Sequence, residues 1–193
     1  MKLKHFYIPL GILIYMCVGS VYSWSVFRKP LEEILKIGAT ESGLPYMLFL
    51  LFFALTMPFG GKIMPKIGPF KTILIGIIFL SCGYIFSGFS KSIVAISVFY
   101  GIIAGIGVGM IYGTPIAVVA KWFPQKKGLL MGLTLAGFGL SPFVTAPLSR
   151  YLIRLYGPFE TFKILGAAFF LVILLLSLPL KFPNEEVEQK SAD

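Results

Sequence analysis

Six uncharged stretches, each about as long as a bilayer core is thick, dictate what this chain can fold into. Residues 6–27, 42–61, 72–90, 92–120, 128–149 and 164–180 hold no Asp, Glu, Lys, Arg or His. A helix needs ~20 apolar residues to cross a hydrocarbon core. The pattern predicts an all-α membrane protein of six spans, joined by short connectors rich in Pro, Gly and charge. The composition agrees: 57% of the 193 residues are hydrophobic and 13% charged, where a soluble domain carries about 25% charged. The run after Met1–His5 is longer than the ~7–15 residues of a leader's apolar core and reads as a first span.

The net charge of +9 forms no basic face or arginine-rich helix, so nucleic acid is not an expected partner. The cations sit singly between apolar runs, where they set topology. Lys2, Lys4, Lys62, Lys66, Lys71, Lys121, Lys126, Lys127, Lys181 and Lys190 would share one side. Arg28, Lys29, Lys36, Lys91, Arg150, Arg154 and Lys163 would share the other, diluted by Glu32, Glu33, Glu41 and Glu160. This bias places both termini in the cytoplasm. Cys17 and Cys82 fall within different spans and read as buried, inert thiols, and His5, the sole histidine, reads as interfacial. With no metal-ligand spacing, nucleophile–base pair or phosphate-cradling loop, neither a cofactor nor an enzyme is expected.

The chain repeats itself. Gly11-Ile and Val18-Gly-x-Val-Tyr22 recur as Gly101-Ile and Val108-Gly-x-Ile-Tyr112; Gly68-Pro-Phe-Lys-Thr72 recurs as Gly157-Pro-Phe-Glu-Thr161, and Pro58 as Pro147. Such matches at nearly the same offset, ninety and eighty-nine positions, are the mark of internal duplication. The units would be residues 1–91 and 92–181, followed by a polar, unstructured cytoplasmic tail over 182–193. Each unit holds an odd number of spans, so the second copy must enter the membrane from the opposite side, an inverted 3+3 repeat. The exchange of Lys71 for Glu160 suits turns on opposite sides.

Candidate site residues follow. Tyr15 and Tyr22 lie seven apart, which on a continuous α-helix is one face. Tyr22 and Tyr112 hold equivalent repeat positions and would face each other. Tyrosines supply hydroxyl donors without fixed charge, so Tyr15, Tyr22 and Tyr112 are candidate substrate-wall residues. Trp24 reads instead as part of an interfacial aromatic belt. Gly101, Gly105, Gly109 and Gly113 recur every four residues on the fourth span. Gly128, Gly132 and Ala136 do so on the fifth, beside Gly137 and Gly139. Both stripes suit close helix packing and rocking. Pro58, Pro115, Pro142 and Pro147 each remove a backbone donor; with Gly137, Gly139 and Pro142 the fifth span would bend and turn Phe138 toward a cavity. No span contains an acid or base for proton coupling.

The connector Lys121-Trp122-Phe123-Pro124-Gln-Lys126-Lys127-Gly128, running into Leu-Leu-Met-Gly and Ala136-Gly-Phe-Gly139, resembles the oxalate/formate antiporter family of the major facilitator superfamily. Tyr22-Ser-Trp-Ser-Val-Phe-Arg-Lys-Pro-Leu31 does so too, and monocarboxylate porters share a version of the connector. The resemblance implies exchange of small carboxylates through a cavity between two six-helix halves. It implies an aromatic wall of Tyr15, Tyr22, Tyr112 and Phe138, with basic partners in helices outside this sequence. Gly61-Lys-Ile-Met-Pro65-Lys66-Ile-Gly68-Pro-Phe-Lys71 stands where that superfamily has an Asp-containing loop, with Pro65 in the aspartate's place. The chain is therefore expected to be half a transporter needing a complementary half, as a separate chain or a second copy. A truncated product or a non-transporting partner of another membrane protein is the alternative.

Overall fold

Residues 6–183 are described by a computed structural model, in which every regular element is helical. Helix α1 (Tyr7–Val18) passes through a 3-10 turn (Gly19–Ser23) into α2 (Trp24–Leu35). Then come α3 (Ala39–Ile67), α4 (Pro69–Ser87), the short α5 (Ile93–Ile96), a π-helical stretch (Ser97–Ala104) and α6 (Gly105–Trp122). A second 3-10 turn (Pro124–Lys126) leads into α7 (Lys127–Ser177). Among the described residues, five continuous helical runs are long and apolar enough to cross a membrane: Tyr7–Leu35, Ala39–Ile67, Pro69–Ser87, Ile93–Trp122 and Pro124–Ser177. The last is broken at Gly157, whose φ of 78° and ψ of 170° leave the helical region. His5 and residues 184–193 of the predicted tail lie outside the described residues.

Helices overrun the uncharged stretches. The first continues eight residues past Phe27 to Leu35, so Arg28, Lys29, Glu32 and Glu33 stand on a helix rather than in a connector. Once the backbone is helical, charged residues beyond the hydrocarbon edge keep it so through i,i+4 pairs, here Arg28–Glu32 at 3.7 Å. Likewise Lys62 and Lys66 lie on α3, and Arg150 and Arg154 on α7. Stops are local: Lys36 (φ 53°) ends α2 in the left-handed region, and the Gly38 N–H donates to Glu41 Oε2 (2.8 Å) to open α3.

The pairing of helices is fixed where glycines leave room. A Cβ on Gly101, Gly105 or Gly109 would lie within 3.0 Å of α3 atoms, at Pro45, Phe49 and Phe53 in turn. Both numbers rise together, so α3 and α6 run parallel. Gly11 meets Thr134 and Gly19 meets Phe138 and Ser141, so α1 runs parallel to the first part of α7. Gly88 meets Phe159 and Gly166 meets Tyr84 and Ile85, so α4 is antiparallel to its last part. The stripe on the fourth span thus packs on α3. It does not pair with the stripe on the fifth, where Gly128, Gly132 and Gly139 face open space and Gly137 meets Ile12; Gly113 is open as well.

Two ends of the bundle are pinned. At one, the Tyr7 ring packs on Trp122 (centroids 5.2 Å), and Trp122 Nε1 donates to the Lys181 carbonyl (2.8 Å). The Gly68 turn between α3 and α4 lies at this end. At the other, Lys163 pairs with Glu160 (2.6 Å) and sits over the Phe89 ring (4.2 Å), beside the break at Gly157.

Between them runs an aromatic core. Trp24 stacks on Tyr100 (4.5 Å) and Phe27 on Phe162 (4.4 Å), with Tyr84 edge-on to Tyr100 and Phe169. Trp24 is 3% exposed and its indole N–H donates to the Ser42 carbonyl (2.9 Å). The belt expected of Trp24 is therefore corrected: a buried carbonyl partner and three aromatic neighbours, Phe27, Tyr100 and Phe162, outcompete the interface. Cys17 and Cys82 are free and half-buried.

Candidate functional site

Where water is absent, buried hydroxyls must find partners inside the protein, and they cross-link the first helical run to its neighbours. Ser20 Oγ and Tyr84 Oη lie 2.9 Å apart, Ser23 Oγ and Thr145 Oγ1 2.7 Å, and Ser141 Oγ donates to the Met16 carbonyl (2.6 Å). These bonds flank the 3-10 turn at Gly19–Ser23. A 3-10 turn advances 120° per residue against 100° in an α-helix, so the four such residues from Gly19 to Tyr22 add about 80° of rotation. Tyr22 therefore stands about 60° round the axis from Tyr15, where a continuous α-helix would leave about 20°. Tyr15 is fully buried, whereas Tyr22 is 44% exposed.

All of the singled-out aromatics nevertheless meet, and Phe138 is their hub. Its ring is edge-on to Tyr15 (6.0 Å, 90°), Tyr22 (5.3 Å, 81°) and Tyr112 (5.3 Å, 82°). Tyr15 is also edge-on to Tyr112 (5.5 Å), and its hydroxyl donates to the Tyr112 main-chain carbonyl. Such edge-to-face contacts suit ring quadrupoles. Tyr22 and Tyr112, expected from their repeat positions to face each other, both meet the Phe138 ring edge-on. No residue around Pro142 or Pro147 leaves the helical region, and within α7 only Gly157 does.

Phe53 joins this cluster without having been singled out by sequence. Its ring is edge-on to Tyr112 (5.0 Å, 67°) and tilted on Phe138 (6.1 Å). One phenylalanine among 19 carries no local signal. The hint was its place eight residues after Pro45, on the α3 face that the glycine stripe of α6 requires.

The accessible parts of the cluster are Tyr22 and the half-buried rings of Tyr112 and Phe53. Together they offer hydroxyls and ring edges but no charge. Among the described residues no group of His, Cys, Asp and Glu could hold a metal. A shallow groove of about 420 Å³ lies elsewhere, between Ile78, Ser81 and Cys82 of α4 and Phe170 and Leu171 of α7. It is apolar and shares no residue with the cluster. The connector residues have structural neighbours instead: Trp122 as above, and Lys121, whose amine sits over Phe182 (4.6 Å). Gly61, Lys66 and Lys71 flank the turn made by Gly68 (φ 86°). Phe123 closes α6, and Pro124 opens the 3-10 turn that carries Lys126 into Lys127 and Gly128.

Residues 10–193 match the Major Facilitator Superfamily. The chain is 30% identical to the oxalate:formate antiporter of Oxalobacter formigenes, over 97% of its own length and 45% of that protein's. It is 25% identical to monocarboxylate transporter 2 of Meriones unguiculatus, over 80% of its length and 33% of that protein's. Against apicoplast pyruvate carrier 1 of Toxoplasma gondii it is 25% identical, over 72% and 32%. The chain thus spans about half, or less, of the curated relatives it matches.

Proposed function

The chain belongs to the Major Facilitator Superfamily, and on that premise we propose that it forms one half of a secondary transporter for small organic anions. It is an integral, multi-pass membrane protein of a transporter family. In this reading it crosses the bilayer six times, the run after Lys127 counting twice because Gly157 divides it, with both termini cytoplasmic. Its three-helix units are inverted copies. Matching details support the duplication: Gly68 and Gly157 share positive φ and extended ψ (86°, 164° and 78°, 170°). Thr72 Oγ1 and Thr161 Oγ1 donate back to those glycines' carbonyls at 2.8 and 2.7 Å. Gly11 against Thr134 likewise repeats Gly101 against Pro45 at nearly the same offset.

The observation that carries the substrate class is the wall itself. Tyr22, Tyr112, Phe53 and Phe138 gather hydroxyls and ring edges with no cation among them. Positive ring edges and phenol donors suit a carboxylate, while an unpaired anion mid-membrane costs at least ~2.5–3.5 kcal/mol. The countercharge therefore comes from a complementary six-helix half. The names of the relatives, an oxalate:formate antiporter, monocarboxylate transporters and a pyruvate carrier, support this class.

The test is reconstitution. The chain alone in liposomes should not exchange oxalate, formate or lactate, and should do so with a complementary half. Exchange by this chain alone would overturn the need for a partner. Tyr22→Ala or Tyr112→Ala should abolish exchange in the assembly at unchanged expression, and full exchange in both variants would remove them from the site.

A further inference from the structure

We propose that the end of the bundle holding the Gly68 turn is a docking surface for anionic phospholipid headgroups. The charges of the described residues divide unevenly between the two ends. Lys62 and Lys66 stand on the last turns of α3 and Lys71 on the first turn of α4; Lys126 and Lys127 open α7, and Lys181 follows it. All six are exposed. The contacts of Tyr7 with Trp122 and of Trp122 with Lys181 gather the last three at one end with the start of α1. The parallel course of α3 and α6 brings the first three to the same end.

Every carboxylate among the described residues, Glu32, Glu33, Glu41 and Glu160, lies at the opposite end. There Glu32 is paired with Arg28 and Glu160 with Lys163. Helices α1, α4 and α7 begin at the lysine end while α3, α6 and the last part of α7 finish there, so the helix dipoles offset one another and the lysines carry the potential. An exposed cation shell with no carboxylate beside it among the described residues, set where helices leave the hydrocarbon, matches a layer of lipid phosphates. One lysine near an anionic leaflet contributes about fivefold to association. The remaining acids of the sequence, Glu185, Glu186, Glu188 and Asp193, follow Lys181 and are the competing partner that the test must separate.

The full chain is placed in nanodiscs of phosphatidylcholine, alone or with 30 mol% phosphatidylglycerol, and its thermal unfolding and lipid retention by native mass spectrometry are compared. Phosphatidylglycerol should raise the melting temperature, and high salt should erase the rise. Replacing Lys62, Lys66, Lys126 and Lys127 together by Gln should lower phosphatidylglycerol retention tenfold or more; replacing Lys29, Lys36 and Lys91 should not. The salt response of the unaltered chain tests the proposal even where the quadruple variant folds poorly. An equal melting temperature in both discs overturns it. So does an equal rise with inorganic phosphate in phosphatidylcholine discs, which would make the surface a phosphate site. Loss of stability on deleting residues 184–193, with no response to phosphatidylglycerol, would assign the lysines to the chain's own acids and likewise overturn it.

Discussion

The Tyr15 hydroxyl donates to the main-chain carbonyl of Tyr112, joining α1 to α6. Pro115, one turn on, has no N–H to offer the carbonyl of Ile111, so the helix is already short of a bond where Tyr15 reaches it. Tyr15 is fully buried and its hydroxyl is committed. That bond holds the Tyr112 main chain against α1.

Tyr15→Phe should cost about 0.5–1.5 kcal/mol, the net worth of one hydrogen bond. Tyr15→Ala should cost about 3–5 kcal/mol, because the ring also fills the core beside Phe138. Reversible denaturation in mixed micelles reads both values, and equal losses would mean that the hydroxyl carries the whole effect.

Gly107 tests the close approach of α6 to α4. A Cβ there would lie 2.4 Å from the Leu80 nitrogen and 2.6 Å from the Gly76 carbonyl oxygen, so backbone must move. Gly107→Ala should destabilise by about 1–3 kcal/mol, as overpacking does. Gly132 meets nothing within 4 Å, and Gly132→Ala should be neutral or stabilising by up to about 1 kcal/mol, the cost of a mid-helix glycine.

Gly68 and Gly157 adopt the same positive-φ conformation before a proline. Alanine at either site should cost about 1–3 kcal/mol of backbone strain, and by similar amounts if the two turns are equivalent. Melting temperatures of the single variants make the comparison.

Trp24→Phe keeps the stack on Tyr100 and loses the indole bond to the Ser42 carbonyl. The expected loss is about 1 kcal/mol, and the buried component of tryptophan emission should disappear while that of Trp122 remains.

Much of the helical framework was legible because span length and the exclusion of charge are properties of the chain alone. The helix ends were less so: Arg28 and Glu32 read as a connector by charge, yet pair along a helix. The grouping of Phe138 with Tyr15, Tyr22 and Tyr112 could be anticipated from spacing and resemblance. The relation within it could not, since the 3-10 turn at Gly19–Ser23 is set by hydroxyl partners on α4 and α7. Trp24 and Phe53 were misjudged or passed over for the same reason. What decides between belt, core and wall is the neighbouring helix, and no local pattern in the sequence names it.

The inverted three-helix repeat is tested most directly at the turns after Gly68 and Gly157. Cysteine placed at Lys71 or at Glu160, in a background with Cys17 and Cys82 replaced by alanine, is labelled with a membrane-impermeant maleimide in oriented vesicles. An inverted repeat requires the two cysteines to react from opposite sides of the bilayer. Reaction of both from the same side would contradict it.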